Sequence, residues 1–232
     1  MNAVLVLTHN NLDLTKRCID SILKQNIPTL AYVFDNGSND GTVEWLQGSH
    51  RSKIYPVLCQ DNAGVSYGWN CGLRHIFCLK HVEAALVVGN DTWLAPWTYS
   101  ALLSCNVPFV TGVAVGSMEQ IPEKPDIQPL TPNPDFSCFL VRREAWEKIG
   151  PFDEQFFNYC GDCDWHIRAH KIGMPLWKAS VPYWHPEPSS TTKKAGAGEY
   201  KALMERAHLD REAFKSKYGV LPGTKEYEAI FK

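Results

Sequence analysis

No segment reads G-x-G-x-x-G behind the first apolar run, and none reads G-x-x-x-x-G-K-[ST]. The two common glycine loops that cradle phosphate on a helix N-terminus are therefore missing. Long apolar runs are missing too: no stretch approaches the roughly 20 residues that a membrane-spanning helix needs. The opening MNAVLVLTHNN carries no basic leader and no small-residue cleavage site, so it is expected to be a strand and not a signal peptide. Net charge is also scarce, −2 over 232 residues, which argues against strong nonspecific attraction to nucleic acid or anionic membrane.

Cysteine is present eight times, but only one C-x-x-C occurs, Cys160 and Cys163. A four-thiol zinc site would need a second pair. A thioredoxin-like use would place the motif after the first strands of a small βαβ domain, whereas this one sits late, behind a Pro-rich loop. His166 and His170, four residues apart, share a helical face and read as a solvated or satisfied pair. The remaining cysteines, scattered singly, have the character of small buried hydrophobes in a reducing compartment, and a cytoplasmic location is the expectation.

Hydrophobic residues make up 44% of the chain and charged ones 21%, enough for the core of one large domain or two small ones. Continuous apolar runs at 3–8, 30–35 and 84–91 predict buried parallel strands. A run at 54–60 is interrupted by Pro56 and predicts an edge strand. Helical periods fall between them at 12–25, 40–47 and 64–80. This is an α/β series, hence a mostly parallel sheet flanked by helices. Asp35, Asp61 and Asp91 each stand where a predicted strand ends, the edge at which open α/β sheets bind ligands. One such Asp is ordinarily a turn or cap residue; three together point to a site. Carboxylates repel phosphate unless a divalent cation lies between them, and Mg²⁺ or Mn²⁺ suits oxygen ligands.

The ordered pieces LTHNNLDLTKRCIDSIL, VFDNGSNDGTVEWL, DNAGVSYGWNCGL, VVGNDTWLAP, CFLVRREAWEKIGPFDEQFFNYCGDCDWHIRAHKIG and WHPEPSST resemble glycosyltransferase family 2, the inverting GT-A enzymes, particularly rhamnosyltransferase-like members. The resemblance runs from residue 5 to about 192. It implies a GT-A fold with a Rossmann-like sheet over 1–192, a nucleotide-sugar half at about 1–92, an acceptor half at about 93–192 and a helical extension at 193–232. It implies that Thr8, His9, Asn10, Asp35, Asn62 and Gly64 hold the nucleotide of a UDP- or dTDP-sugar, with Asn70 in support. Asp91, last in G-N-D where the family has D-x-D, is implied as a metal ligand for Mn²⁺ or Mg²⁺, with His185 completing the site. Asp162 is implied as the base. The family segment E-D-x-D here has Gly161 in place of Glu, while Asp162 and Asp164 remain.

Other residues keep two readings. Asp164 is a second site carboxylate or an i,i+4 partner of Arg168. Trp93 and Arg142 are candidates for acceptor contact or support, and Arg142 and Arg143 for diphosphate contact or a solvated strand end. The Pro-rich stretch 119–136 reads as an acceptor-side loop or a rigid linker, and the charged tail from 193 as a solvated helix. The expected acceptor is a glycan or another hydroxyl-bearing molecule, nucleic acid included. A sugar-nucleotide pyrophosphorylase would need a Gly- and Arg-rich N-terminal loop that is absent, and the competing class is a non-catalytic nucleotide-sugar or glycan-binding module.

Overall fold

The computed structural model describes residues 2–48, 52–116, 125–185 and 197–232. The first half alternates strand and helix as expected: β1 (Asn2–Thr8), α1 (Leu12–Leu23), β2 (Thr29–Asn36), α2 (Thr42–Gly48), β3 (Ile54–Cys59), α3 (Val65–Phe77) and β4 (Ala84–Gly89). The second half contains β5 (Trp93–Leu94), α4 (Thr98–Ser104), β6 (Phe109–Val115), β7 (Ile127–Pro129), β8 (Cys138–Arg142), α5 (Arg143–Ile149), α6 (Gly161–Lys171) and β9 (Trp177–Trp184). Helix α7 (Ala197–Tyr218), α8 (Lys225–Glu228) and a final 3₁₀ turn (Ala229–Phe231) follow. Helix α2 begins two residues later than its period suggests because the Asp40 carboxylate accepts from the Thr42 amide and hydroxyl, at 3.2 and 2.6 Å, and so occupies the cap.

One sheet runs β3-β2-β1-β4-β8-β6-β9-β5, with β7 paired to β9. Strands β3, β2, β1 and β4 are mutually parallel. Strand β8 is antiparallel to both β4 and β6, and β6 is parallel to β9, so β1, β2, β3, β4, β6 and β9 all point one way. The sheet is thus mostly parallel in direction, and β3, with Pro56, lies at its edge. Alternation explains why the strands read as unbroken apolar runs. Ala3, Leu5, Tyr32, Phe34, Ala85 and Val87 face the core under α3 and α5, while Val4, Val6, Ala31, Val33, Leu86 and Val88 face the core under α1 and α4. Both faces are covered, so neither set of alternate positions can be polar.

The tail departs from the solvated helix expected of its composition. Phe214 and Tyr227 are fully buried in a third apolar cluster with Phe156, Cys160, Cys163 and Ile167, which seats α7 on α6. Fully buried Asp164 binds Arg168 Nε at 2.8 Å, Lys217 Nζ at 2.6 Å and the Tyr218 hydroxyl at 2.7 Å. A buried charge with three partners is satisfied and sits in structure, not chemistry. Of the two readings of Asp164, the pairing with Arg168 is the one present, enlarged by two residues of α7. Among the described residues no helix is long and apolar enough to cross a membrane.

Candidate active site

The carboxyl ends of β1, β2 and β4 deliver their polar residues to one edge of the sheet. Thr8, at the end of β1, is fully buried, and its hydroxyl lies 2.8 Å from that of Thr15. Asn90 Nδ2 reaches Thr8 Oγ1, the Asn10 carbonyl and Thr15 Oγ1 at 3.0, 2.9 and 3.0 Å, so the middle residue of G-N-D ties β4 to the start of α1. The left-handed Asn10 (φ 57°) donates its amide to Ser38 Oγ at 2.7 Å and accepts from Asn39 N at 2.8 Å. His9 Nδ1 donates to the Asn36 carbonyl at 2.9 Å.

Asp35 is fully buried; Oδ1 accepts from the Ser38 amide at 2.9 Å, and Oδ2 has no hydrogen-bond partner among the described residues. A buried carboxylate oxygen without a donor is an acceptor in need of one. Its neighbour Asn36, which the sequence reading passed over, builds the D-N-A-G turn: Nδ2 donates to Asn62 Oδ1 at 2.9 Å and to the Gly64 carbonyl at 3.1 Å, while Oδ1 accepts from Ala63 N at 2.9 Å. Gly64 has φ 92°, and a Cβ there would stand 2.6 Å from the Phe157 carbonyl. Only glycine fits.

A cavity of about 390 Å³ opens at this edge. His9, Asn36, Asn62 and Asp91 line it together with Asp135, Tyr159 and Asp162. Asp91 Oδ1 and His185 Nε2 lie 3.4 Å apart on its wall. Carboxylate oxygen and imidazole nitrogen so placed fit a hard divalent ion that takes its other ligands from water or phosphate. Among the described residues no three His, Cys, Asp or Glu side chains converge. The lining holds Asp91, Asp135 and Asp162 and, among the described residues, neither Lys nor Arg.

Asp162, half-buried at the start of α6, accepts from the Cys163 amide at 2.8 Å. Loss of solvent pushes its pKa up to about 6, and the nearby Asp135 charge adds to this against the opposing Cys163 hydrogen bond. A Cβ at Gly161 would meet Ser66 Oγ at 2.7 Å, so the position that is Glu in the resembling segment has been closed by Ser66. The thiols are inert by the same burial: Cys160 is pushed up to about 12 and Cys163 is also raised, so both stay protonated at neutral pH. His166 is pushed down to about 4 by burial and is neutral.

The cavity therefore brings together His9, Asn62, Asp91, Asp162 and His185. Thr8, Asn10, Asp35 and Gly64 stand directly behind its wall in the bonds just described. Asn70 does not reach it: its side chain is spent on Phe152 N and O and on Glu154 Oε1, at 2.8, 2.9 and 2.7 Å, and so fixes the 152–154 loop. Trp93 is likewise off the cavity, stacked on Trp184 at 3.6 Å and 3° with the Arg17 guanidinium 5.3 Å from its ring. Arg142 is at the wrong end of the sheet. It pairs with Ala84, the first residue of β4, and donates to the Val107 and Leu103 carbonyls at 3.0 and 3.3 Å. Arg143 donates to the carbonyls of Phe77, Leu79 and Val82 at 2.7 to 2.9 Å, so neither arginine is a phosphate ligand here. Of the Pro-rich stretch, Asp135 and Phe136 line the cavity, and 119–124 lie outside the described residues.

Residues 3–103 match the family model described as glycosyl transferase family 2. The first half of the chain is thus similar to family 2 glycosyl transferases. A 56-residue segment is 39% identical to N-acetylglucosaminyl-diphospho-decaprenol L-rhamnosyltransferase of Mycobacterium tuberculosis, strains CDC 1551 / Oshkosh and H37Rv, spanning 24% of this chain and only 18% of those relatives. In fold, the whole chain is similar to the mannosyltransferase PcManGT from Pyrobaculum calidifontis, solved with GDP-Man and Mn²⁺ (TM-score 0.67, 18% identity, 99% of this chain and 67% of that one). It is similar also to S. aureus TarS 1-349 with UDP (TM-score 0.58, 14% identity, 100% and 70%) and to GalNAc-T7 with UDP, GalNAc and Mn²⁺ (TM-score 0.65, 11% identity, 99% and 53%). The region matched by the family model thus sits in a GT-A fold that includes the second half of the chain.

Proposed function

We propose that the protein is an inverting glycosyltransferase that moves a sugar from a nucleoside diphosphate to an acceptor hydroxyl. The observation that carries this reading is that one cavity is lined by Asp91 and His185, 3.4 Å apart, and by the carboxylate of Asp162, whose raised pKa suits a base. The unpartnered Oδ2 of Asp35 supports a pyrimidine ring N–H as its missing donor, hence UDP or dTDP. GDP-Man in PcManGT and UDP in TarS and GalNAc-T7 support nucleotide-bound sugars as the donor class.

Asp91 and His185 would hold Mn²⁺ or Mg²⁺, which supplies charge neutralisation of the departing diphosphate. A cavity lined by three carboxylates, without Lys or Arg among the described residues, supports the need for such a cation. Asp162 accepts the proton of the acceptor hydroxyl as its oxygen bonds to the anomeric carbon and the bond from that carbon to the phosphate oxygen breaks. An in-line displacement with inversion would need the diphosphate and the Asp162 carboxylate on opposite faces of the anomeric carbon. Asp135 and Phe136 of the Pro-rich stretch would face the acceptor.

The test is a panel of UDP-, dTDP- and GDP-sugars with Mn²⁺ or Mg²⁺, with hydrolysis and transfer followed by mass spectrometry. Cleavage of one donor, abolished by EDTA, is the expected result. Nucleotide binding without cleavage would instead favour a binding module, and full activity in EDTA would remove the metal.

A further inference from the structure

Helix α7 closes the site from a distance of some fifty residues. Asp210, 2% exposed, accepts hydrogen bonds from three successive backbone amides, Phe157 at 2.9 Å, Asn158 at 2.9 Å and Tyr159 at 2.8 Å. These amides open the loop that leads into α6. Arg206, one turn before Asp210 on the same helix, lies with its guanidinium 4.4 Å from the Phe157 ring, and Leu203 reaches the cavity wall.

The clamped loop touches both halves of the site. Toward the nucleotide side, the Phe157 carbonyl accepts from Val65 N at 2.6 Å, and the Phe157 ring and carbonyl fill the space that Gly64 leaves open. Toward the acceptor side, Asn158, Tyr159 and Cys160 line the cavity and run into Asp162. Cys160 itself is left-handed at φ 67°, a conformation that costs a non-glycine residue roughly 1 kcal/mol and persists only where its surroundings over-determine it. Three charge-assisted hydrogen bonds to the residues immediately before it supply that determination.

We infer that Asp210 is a positioning residue for the transfer reaction: by gripping Phe157–Tyr159 it sets, at once, the Asn62–Gly64 turn and the Asp162 carboxylate. The inference rests on the glycosyl transfer proposed above. Lys217 provides the comparison, because it anchors the same helix to Asp153 and Asp164, both at 2.6 Å, and lies over the Phe156 ring without bonding to the Phe157–Tyr159 amides.

Asp210→Asn and Lys217→Met are compared with the unaltered protein at a temperature where circular dichroism shows each folded. Calorimetry reads UDP and dTDP affinity with Mn²⁺, and donor turnover gives kcat and KM. Asp210→Asn should raise the nucleotide Kd and donor KM about tenfold and lower kcat by a similar factor, since displacements near 1 Å cost this much or more. Lys217→Met should lower the Tm and leave Kd and KM alone. A purely structural role lowers the folded fraction, which reduces kcat but cannot raise KM. Unchanged constants in Asp210→Asn, or the same KM rise in Lys217→Met, would overturn the inference. If neither nucleotide binds the unaltered protein, the donor-site reading fails and this inference with it. Should Asp210→Asn not fold, amide exchange in the unaltered protein decides: UDP with Mn²⁺ should slow exchange at Phe157, Asn158 and Tyr159, and exchange indifferent to bound UDP would refute the coupling.

Discussion

The proposed nucleotide side and the proposed acceptor side of the cavity are built by different means. On the nucleotide side, Thr8, Asp35 and Asp91 are delivered by the ends of the adjacent parallel strands β1, β2 and β4, and their register is fixed by the sheet itself. On the acceptor side, Asp135 is delivered by a Pro-rich connection and Asp162 by the first turn of α6, which is entered through a loop held by α7. Strand ends are rigid because the core on both faces of the sheet is rigid. Loops are rigid only where a side chain from elsewhere satisfies their backbone. The position of Asp162 therefore depends on a side chain of α7, whereas that of Asp91 depends on strand pairing.

Replacing the carboxylate that acts only on the acceptor separates the two sides most sharply. Asp162→Asn should lower transfer by about a hundredfold or more and leave UDP and dTDP affinity unchanged in calorimetry. The same carboxylate sets the acid limb of the pH profile. With its pKa raised to about 6, it is ionised above that pH and competent; as pH falls through about 6 it is protonated and turnover declines. A limb near the ordinary carboxylate value, or one that survives in Asp162→Asn, would assign the base elsewhere.

Asp164, two residues on, tests the claim that this carboxylate belongs to the fold. Removing its charge leaves Lys217 and Arg168 without their buried partner, and Asp164→Asn should cost about 3 kcal/mol in urea unfolding. Its donor KM should be normal wherever the protein is folded. A collapse of turnover at full folding would reverse the roles of the two residues.

On the nucleotide side, Asp35→Ala should weaken UDP or dTDP binding about tenfold, the size of one hydrogen bond to a charged group. Equal affinity would take Asp35 out of the site and leave its orphaned oxygen unexplained. Smallest of all, Cys160→Ala with Cys163→Ala should leave donor hydrolysis close to the unaltered rate, because both thiols are protonated packing groups. Loss of activity on oxidation that this double variant escapes would restore a redox role.

How far each side could be read from sequence follows the same division. Strands β1, β2 and β4 announce themselves as apolar runs, and the Asp after each run is placed by the run. Pro56 marks the edge because it cannot donate to a second neighbour. Asn36 was hidden by its neighbour: an Asn beside a strand-terminal Asp has the look of a turn, and its bond to Asn62 spans 26 residues. Asp135 was hidden among prolines, where no period assigns a direction to any side chain. Arg142 misled because a charge at a strand end says nothing about which end of the sheet it is, and β8 runs antiparallel to β4. Helix α7 looked solvated because the residues that seat it, Asp210, Phe214, Lys217 and Tyr218, include two charges that are paired only in the folded chain.

The grip of Asp210 on the 157–159 loop also has an order in time. Chains fold as they are synthesised, at roughly 5–20 residues per second, and contacts of long sequence separation wait for their later partner. The pairings among the parallel strands β1 to β4 can all form by Gly89, with β8 still to join β4, whereas the amides of Phe157, Asn158 and Tyr159 wait 53, 52 and 51 residues for their carboxylate. Asp164 meanwhile waits for Lys217 with only Arg168 at its side. Until α7 emerges and docks, a nascent chain can hold the paired strands of the proposed nucleotide edge beside a loop that has not yet given Asp162, the proposed base, its place.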